Sequence, residues 1–288
     1  MKQKVALVLS SGGSKGLAHI GVINELEKQG FEISSVSGSS IGSVIGGLYA
    51  MGKLSEYTDW IKTLNKKLVW DLLDFTLSSN GLIKGEKVFR KMKTFIPDML
   101  IEDMNIPFSA IATDILNEKD VVFTDGSFYE AIRASVAIPS LITPVKYKDT
   151  FLVDGGVLNP IPIEHVARDA DDILVVVNLY GEKMETAKFS EEKNQGYSTI
   201  NGLVNNFSKL ISSGDKKSLG YFSLLNTVTY AMIHKLAKEN VKKHQPDIVI
   251  NIPFDSASTF DFYKAGELIE LGETNANKEI SKYLIQHN

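Results

Sequence analysis

A serine between two glycines is the residue in this chain best suited to chemistry. Residues 38–42 read G-S-S-I-G, so Gly38 and Gly42 flank Ser40 in the pattern G-x-S-x-G. This pattern is typical of a sharp strand-to-helix turn that presents a nucleophilic serine. Glycine is needed on both sides because the turn leaves no room for Cβ atoms. The pattern predicts Ser40 as a nucleophile, although a serine that caps the following helix also fits it.

A glycine-rich loop earlier in the chain is suited to holding an anion. It lies between an apolar run and a helix-like run, where free backbone N–H groups bind negative charge. Acyl transfer needs a nucleophile and donors for an oxyanion, so the loop and Ser40 together favour this chemistry. Nucleotide binding is the weaker interpretation, since the loop lacks a G-K-[S/T] ending and an acidic residue placed for magnesium. The loop residues are Gly12, Gly13, Ser14, Lys15 and Gly16.

A serine nucleophile needs a base, and the histidines fit a hydrolase triad badly, because only His287 comes late enough in the chain and it is the penultimate residue. Asp154 is the better candidate because it ends a predicted strand, at the edge of a parallel sheet where sites collect. The sequence of Asp154, Gly155 and Gly156 also fits a plain tight turn. The histidines lie in predicted helices, before a strand or next to the last residue: His19, His165, His234, His244 and His287.

Alternating strands and helices must position these groups. The continuous apolar run at residues 5–9 predicts a buried parallel strand, and residues 17–29 predict a helix that stops at Gly30. This alternation predicts a parallel sheet with helices on its faces. Further strands are predicted at 33–36, 109–113, 121–124, 151–153, 173–179 and 248–252, and further helices at 41–51, 129–134, 221–241 and 263–285.

Two regions are less regular. Residues 54–100 read as helical and carry many aromatic and apolar side chains with lysines between them. They fit a helix pair packed on the core, or a lid or membrane-contact surface. Residues 184–215 are polar with mixed charge and predict an excursion over the surface.

Composition limits the class of protein. A chain of 288 residues can form one large α/β domain, and 43% hydrophobic and 23% charged residues are ordinary globular values. A net charge of −4 gives no reason to expect nucleic acid as a partner. The chain has no cysteine, which excludes disulfides and thiolate chemistry. No apolar run suits a signal peptide or a membrane span, so we expect a cytoplasmic protein.

Four sequence blocks, taken in order, resemble the patatin-like phospholipase family in its compact bacterial form. Residues 7–21 resemble the oxyanion-hole block of the family, and residues 38–42 resemble its nucleophile block. Residues 134–139 resemble a structural block, and residues 152–157 resemble the block that carries the catalytic aspartate. The resemblance implies a three-layer α/β/α fold with a mostly parallel central sheet.

The resemblance also implies a domain organisation and a reaction. Residues 5–180 are expected to form the catalytic core, and residues 181–288 a helical extension with one further strand on the same domain. Asp154 would accept the proton of Ser40 in a two-residue dyad, without a metal or organic cofactor. The backbone N–H groups of residues 12–16 would form the oxyanion hole. The expected activity is that of a carboxylic ester hydrolase acting on lipid or fatty-acyl esters through an acyl-serine intermediate.

Two residues depart from the usual pattern of the family. Ser11 stands where glycine is usual, at a position where a positive φ would strain a serine. Lys15 stands where arginine is common, and we interpret it as ordering the loop or stabilising charge, with a solvated lysine as the alternative.

Several alternatives and expectations follow from the resemblance. A non-catalytic lipid-binding or scaffold protein, or an acyltransferase using the same dyad, fits the same sequence. The acyl pocket is expected from residues 72–77 and 138–142. Residues 60–75, with Lys62, Lys66 and Lys67, are expected to provide a peripheral membrane contact. The sequence does not predict the oligomeric state.

Overall fold

The computed structural model describes residues 2–78, 81–183 and 221–287. Its strands are β1 (Lys4–Leu9), β2 (Glu32–Ser39), β3 (Phe75–Ser78), β4 (Gly81–Ile83), β5 (Phe108–Asp114), β6 (Lys119–Phe123), β7 (Val145–Tyr147), β8 (Thr150–Asp154), β9 (Ile173–Gly181) and β10 (Ile248–Pro253). Its α-helices are α1 (Ala18–Lys28), α2 (Ile41–Ala50), α3 (Leu54–Lys62), α4 (Lys66–Leu72), α5 (Glu86–Lys93), α6 (Phe128–Ser135), α7 (Tyr221–His244) and α8 (Ala265–His287).

A mixed sheet forms the middle of the described part of the molecule. Its strand order is β10-β9-β1-β2-β5-β8-β7, and β6 pairs with β5 off this path. The strands from β10 to β5 run parallel, whereas β6, β7 and β8 pair antiparallel with their neighbours. The sheet is therefore mostly parallel and changes direction beside β5, as a three-layer α/β/α fold requires once helices cover both faces.

The alternation of side chains along β1 assigns the helices to the two faces of the sheet. Leu7 and Leu9 belong to the larger apolar core, which includes buried residues of α1, α2 and α8. Val8 points the other way, into a second core that contains Ala237 of α7 and Ile161. Because successive residues of a strand face opposite sides, one strand serves both cores. The predicted three-layer fold is confirmed.

The carboxyl-terminal part of the chain packs closely against the amino-terminal part. Strand β10 extends the sheet beside β9, and α8 lies against α1. The two helices approach through glycines: a Cβ on Gly21 would lie 1.9 Å from the Ile269 carbonyl oxygen, and one on Gly272 would lie 2.0 Å from that of Ala18. Any side chain at these two positions would force the helices apart.

The structure corrects the helical interpretation of residues 54–100. Helices α3, α4 and α5 lie in this region, but β3 and β4 form an antiparallel hairpin between them. The alternating F-T-L-S sequence of β3 suits a strand. In the neighbouring strand β4, Ile83 forms a β-bridge with Ile142. Strand β7 is also new relative to the prediction. The predicted excursion at 184–215 lies outside the described residues.

Candidate active site

Ser40 lies at the turn between β2 and α2 in a strained backbone conformation. Its φ of 54° and ψ of −124° are sparsely populated by residues other than glycine. A Cβ on Gly38 would lie 2.4 Å from the Gly42 carbonyl oxygen, and one on Gly42 would lie 2.1 Å from the Leu9 carbonyl oxygen. The turn therefore has the geometry of a nucleophile elbow, and both glycines are sterically required.

Asp154 ends β8 and reaches Ser40 across the sheet. The Ser40 hydroxyl donates to the Asp154 Oδ2 at 2.5 Å, and the Gly156 N–H donates to Oδ1 at 2.7 Å. The pair meets because β5 lies between β2 and β8: Ile111 of β5 pairs with Ser39, and Ala112 pairs with Asp154. The change of strand direction thus places the predicted base beside the predicted nucleophile.

The end of α6 holds both residues in place. The Ser40 N–H donates to the Ser135 hydroxyl oxygen at 2.9 Å, and that hydroxyl donates to the Ile111 carbonyl oxygen at 2.5 Å. The Asp154 N–H donates to the Ala137 carbonyl oxygen at 2.9 Å. The positioning role of Ser135 was missed in the sequence, where residues 134–139 gave only a structural block. A buried serine at a helix end carries no pattern that reveals its partner.

Burial controls the charge of Asp154. Its side chain is almost completely enclosed, and this desolvation raises the pKa of the carboxyl from 3.8 to about 6. The hydrogen bonds from Ser40 and Gly156 oppose the rise because they favour the carboxylate. At neutral pH the group is still mostly ionised and can accept a proton.

The glycine-rich loop lies directly beside the elbow, and its backbone donors are not all free. A Cβ on Gly16 would lie 2.3 Å from the Ile41 side chain, which follows Ser40. The Ser14 N–H donates to the Thr259 carbonyl oxygen at 3.0 Å. The Ser14 amide is therefore occupied, and Lys15 and Gly16 lie inside the 3₁₀ helix Gly13–Leu17, where backbone amides are taken up by i→i−3 hydrogen bonds. An oxyanion hole formed by this loop stays a prediction. Gly12 and Gly13 remain as the preferred candidates.

Ser11 fits the loop without backbone strain. The described non-glycine residues with positive φ do not include it. Its N–H donates to the Pro160 carbonyl oxygen, and its hydroxyl shares a 2.6 Å hydrogen bond with Tyr180. A Cβ on Gly156 would lie only 2.5 Å from the Ser11 hydroxyl oxygen, so the serine packs against the aspartate loop. Tyr180 was missed in the sequence, although it stands near the carboxyl end of the strand next to β1.

Lys15 is buried and orders the loop. Its Nζ donates to the carbonyl oxygens of Leu179 and Phe254, each at 3.1 Å, and lies 4.3 Å from the Phe254 ring centroid. Burial lowers the pKa of Lys15 to about 8, and Asp255 opposes this shift. The interpretation of Lys15 as a solvated lysine is therefore wrong. Leu179 lies in β9 and Phe254 directly follows β10, so both acceptors are far along the chain from the loop.

The histidines, all within the described residues, interact with groups other than Ser40 and Asp154. His19 is fully buried, and this burial lowers its pKa to about 4. The contacts place no imidazole in a triad with the serine and the aspartate. The contacts are His19 with the Ser10 carbonyl, His165 with Asp120, His234 with the rings of Tyr180 and Phe254, His244 with Glu164, and His287 with the Tyr283 carbonyl.

The aromatic stretch at residues 60–75 divides into two parts. Trp60 packs between Tyr57 and Phe95, with ring centroids 5.7 and 5.5 Å away, so it belongs to the core. Trp70 instead stacks on Phe75, which is 55% exposed. The exposed large apolar side chains of this stretch are Leu68 and Phe75, and Trp70 is half-buried. The nearby hairpin also touches the segment 138–142, because the Ile83 N–H donates to the Leu141 carbonyl oxygen at 2.9 Å.

The comparisons with known proteins assign the family. The family model described as patatin-like phospholipase matches residues 7–167, which include the elbow, the aspartate and most of the sheet. The chain belongs to the patatin-like phospholipase family. The predicted resemblance is thereby confirmed, and membership of this family supports a lipid hydrolase activity.

Similar proteins include bacterial and fungal members of a related group. An uncharacterised NTE family protein of Mycobacterium bovis is 29% identical and is matched over 98% of this chain and 92% of its own length. Lysophospholipase NTE1 of Scheffersomyces stipitis is 26% identical over 98% of this chain, and that of Kluyveromyces lactis is 28% identical over 94%. The patatin-like chain described here spans 18% and 19% of those two proteins.

A solved structure resembles the fold more distantly. VipD from Legionella pneumophila matches over 98% of this chain and 67% of its own, with a TM-score of 0.49 and 14% identity. In the part of the patatin-like chain that the structure describes, no helix combines the length and the apolar character that crossing a bilayer demands.

Proposed function

We propose that this chain is a lipid acyl hydrolase of the phospholipase A, lysophospholipase or carboxylesterase type that acts through an acyl-serine intermediate. The observation that carries the proposal is the 2.5 Å hydrogen bond from the Ser40 hydroxyl to Asp154 at a strained elbow. A serine needs an adjacent base to become a nucleophile, and the carboxylate is the group in contact with it.

The proposed reaction begins with attack on an ester carbonyl. Asp154 takes the proton from the Ser40 hydroxyl as its oxygen bonds to the carbonyl carbon. The resulting oxyanion is held by backbone N–H groups of the loop, with Gly12 and Gly13 as the preferred donors. Each such donor is typically worth about 3 kcal/mol in the transition state. Asp154 returns the proton to the leaving alcohol, and the acyl group stays on Ser40.

The second half of the proposed reaction repeats the first with water. Asp154 accepts a proton from a water molecule, which attacks the acyl-serine carbonyl, and the same loop holds the second oxyanion. The fatty acid leaves as Ser40 recovers its proton. These steps balance without a metal or organic cofactor.

The proposed substrate is a lipid or other fatty-acyl ester presented at a membrane surface. Two exposed apolar side chains and one half-buried tryptophan lie on α4 or just after it, and the lysines lie on α4 itself. Apolar area together with attraction to anionic head groups is how a peripheral protein binds a membrane. The residues are Leu68, Trp70 and Phe75 with Lys66 and Lys67.

A serine-directed fluorophosphonate probe tests the proposal. The wild-type protein should be labelled once, at Ser40, and Ser40→Ala should remain unlabelled. A screen of p-nitrophenyl esters of graded chain length, beside intact and lyso-phospholipids, then defines the substrate. A folded protein that neither reacts with the probe nor hydrolyses any ester would instead support a non-catalytic lipid-binding role.

A further inference from the structure

A cluster of potential metal ligands joins three separate parts of the fold. Asp120 lies in β6, Glu164 and His165 form part of the turn Ile163–His165, and His244 ends α7. The ligand atoms of Asp120, Glu164 and His165 all lie within 4.8 Å of one another. His244 lies next to this group, since its Nε2 is 3.5 Å from Glu164 Oε2, but it does not lie within 4.8 Å of all three ligand atoms. None of these residues takes part in the proposed reaction.

The spacing and chemistry of these atoms suit zinc. Four ligands at about 2.0–2.1 Å from a tetrahedral zinc ion lie about 3.3 Å from each other. The His165 Nε2 is 2.9 Å from Asp120 Oδ2, and the second imidazole–carboxylate pair is separated by 3.5 Å. Two imidazoles with two carboxylates favour zinc over magnesium or calcium, which prefer oxygen ligands alone.

One ring nitrogen of His244, which faces Glu164, has no hydrogen-bond partner. The Nε2 of His244 is shielded from solvent and makes no hydrogen bond, because 3.5 Å from a carboxylate oxygen is too long for a good one. A buried polar atom without a partner costs free energy. A cation between His244 and Glu164 would use both the nitrogen lone pair and the carboxylate charge.

Two asparagines orient the carboxylates from outside the cluster. The Asn159 Nδ2 donates to Asp120 Oδ2 at 2.8 Å and to Glu164 Oε1 at 3.3 Å. The Asn159 Oδ1 in turn accepts from Asn240 of α7 at 3.0 Å. Outer hydrogen bonds of this kind are characteristic of metal sites, where they fix the direction of the ligands.

We infer that Asp120, Glu164 and His165 bind one Zn²⁺ ion with a structural role, and that the neighbouring His244 turns in as the fourth ligand when the ion is bound. The ion fastens the carboxyl-terminal end of α7 to the turn that follows the aspartate loop. Its effect would reach that loop, since the Asn159 N–H donates to the Gly155 carbonyl oxygen at 2.9 Å. The inference does not depend on the proposed function, because zinc binding and stabilisation can be measured without a substrate.

Zinc titration of the tag-free full chain against a chromophoric zinc chelator tests the inference. The wild type should take up one equivalent of Zn²⁺, and Mg²⁺ and Ca²⁺ at the same concentration should not displace it. His165→Gln and His244→Gln should each weaken binding by at least about tenfold, and so should the milder Asp120→Asn. His287→Gln is the matched control, because it removes an exposed histidine in the last turn of α8.

Thermal unfolding provides a second readout. Zn²⁺ should raise the Tm of the wild type and of His287→Gln but leave that of the three cluster variants unchanged. Circular dichroism without metal shows whether each variant is folded. Failure of the folded wild type to bind one equivalent, or equal binding by the folded cluster variants, would overturn the inference.

Discussion

Ser40 and its neighbour Ser39 allow a sharp test at the scale of single residues. Ser40→Ala should lower ester hydrolysis by at least about 10⁴-fold, because it removes the attacking oxygen. Ser39→Ala should keep substantial activity, since the Ser39 hydroxyl is buried without a hydrogen-bond partner and faces the backbone of Gly155. Initial rates on a short p-nitrophenyl ester, with circular dichroism as the check on folding, measure both. An inactive Ser39→Ala beside an active Ser40→Ala would refute the elbow assignment.

The raised pKa of Asp154 makes a prediction about pH. Asp154 can act as a base only when ionised, so kcat/KM should rise with pH through about 6 and level off above it. Asp154→Asn should lower kcat by about 10²–10⁴-fold, since asparagine cannot accept the serine proton. A pH–rate profile of the wild type and a rate measurement of the variant test these points. A flat profile between pH 5 and about 8 would contradict the role of Asp154.

The same carboxyl predicts an opposite effect on stability. Folding raises its pKa above the unfolded value, so its contribution to stability is fully present below 3.8 and is lost as pH rises through about 6. Asp154→Asn removes the buried charge at higher pH. Its unfolding free energy at pH 8 should therefore match or exceed that of the wild type, as measured by urea denaturation.

At the scale of elements, the contact between α1 and α8 can be tested with two glycines of one helix. Gly272→Ala should destabilise the protein by about 1–3 kcal/mol, because its Cβ would overlap the Ala18 carbonyl of α1. A Cβ on Gly266, at the start of α8, would meet nothing within 4 Å, so Gly266→Ala is the matched control. It should leave stability unchanged or raise it slightly, since alanine favours a helix. Urea denaturation measures the unfolding free energy of both variants. Equal changes in this free energy would show that the close approach of α1 and α8 at Gly272 does not contribute to stability.

Elements with strong local patterns could be predicted from the sequence, and those that depend on distant partners could not. The apolar runs at 5–9 and 173–179 predicted β1 and β9 to within one or two residues at each end. The β3–β4 hairpin was missed because it lies between helices and gains its neighbours from residues 141–143. Short β7 was missed for the same reason, since its pairing with β8 defines it.

The residues of the candidate site also fall into those that a local sequence pattern marks and those whose roles depend on distant partners. Ser40 and Asp154 could be predicted as a candidate pair because glycines mark each of them locally and the family resemblance favours them over a helix cap and a plain turn. Ser135, Tyr180 and the acceptors of Lys15 were not predictable, since their roles arise only when separate strands and helices meet. Local patterns and the family resemblance therefore pointed to the proposed reacting groups, whereas the supporting contacts required the folded chain.

At the scale of the whole molecule, the proposed membrane contact through half-buried Trp70 and exposed Phe75 can be tested on aggregated lipid. Trp70→Ala should slow hydrolysis of vesicles several-fold while changing the rate on a soluble short-chain ester little. Vesicle binding of the wild type should weaken as salt is added, because lysine attraction to anionic head groups is screened. Ile285→Ala, which alters an exposed apolar side chain of α8, is the control. Equal losses on both substrates would show that Trp70 is packing rather than membrane contact.

The anchoring of the glycine-rich loop has a consequence for synthesis on the ribosome. Ser40 and Asp154 both precede residue 155, so a nascent chain can bring them together early. The loop, however, is held by the carbonyl oxygens of Leu179, Phe254 and Thr259. Until those residues emerge, Lys15 and Ser14 have no partners, and we expect the oxyanion donors to remain unaligned. We therefore expect the proposed hydrolase to stay inactive toward lipid esters while it is being translated, and to become active only after β10 has joined the sheet.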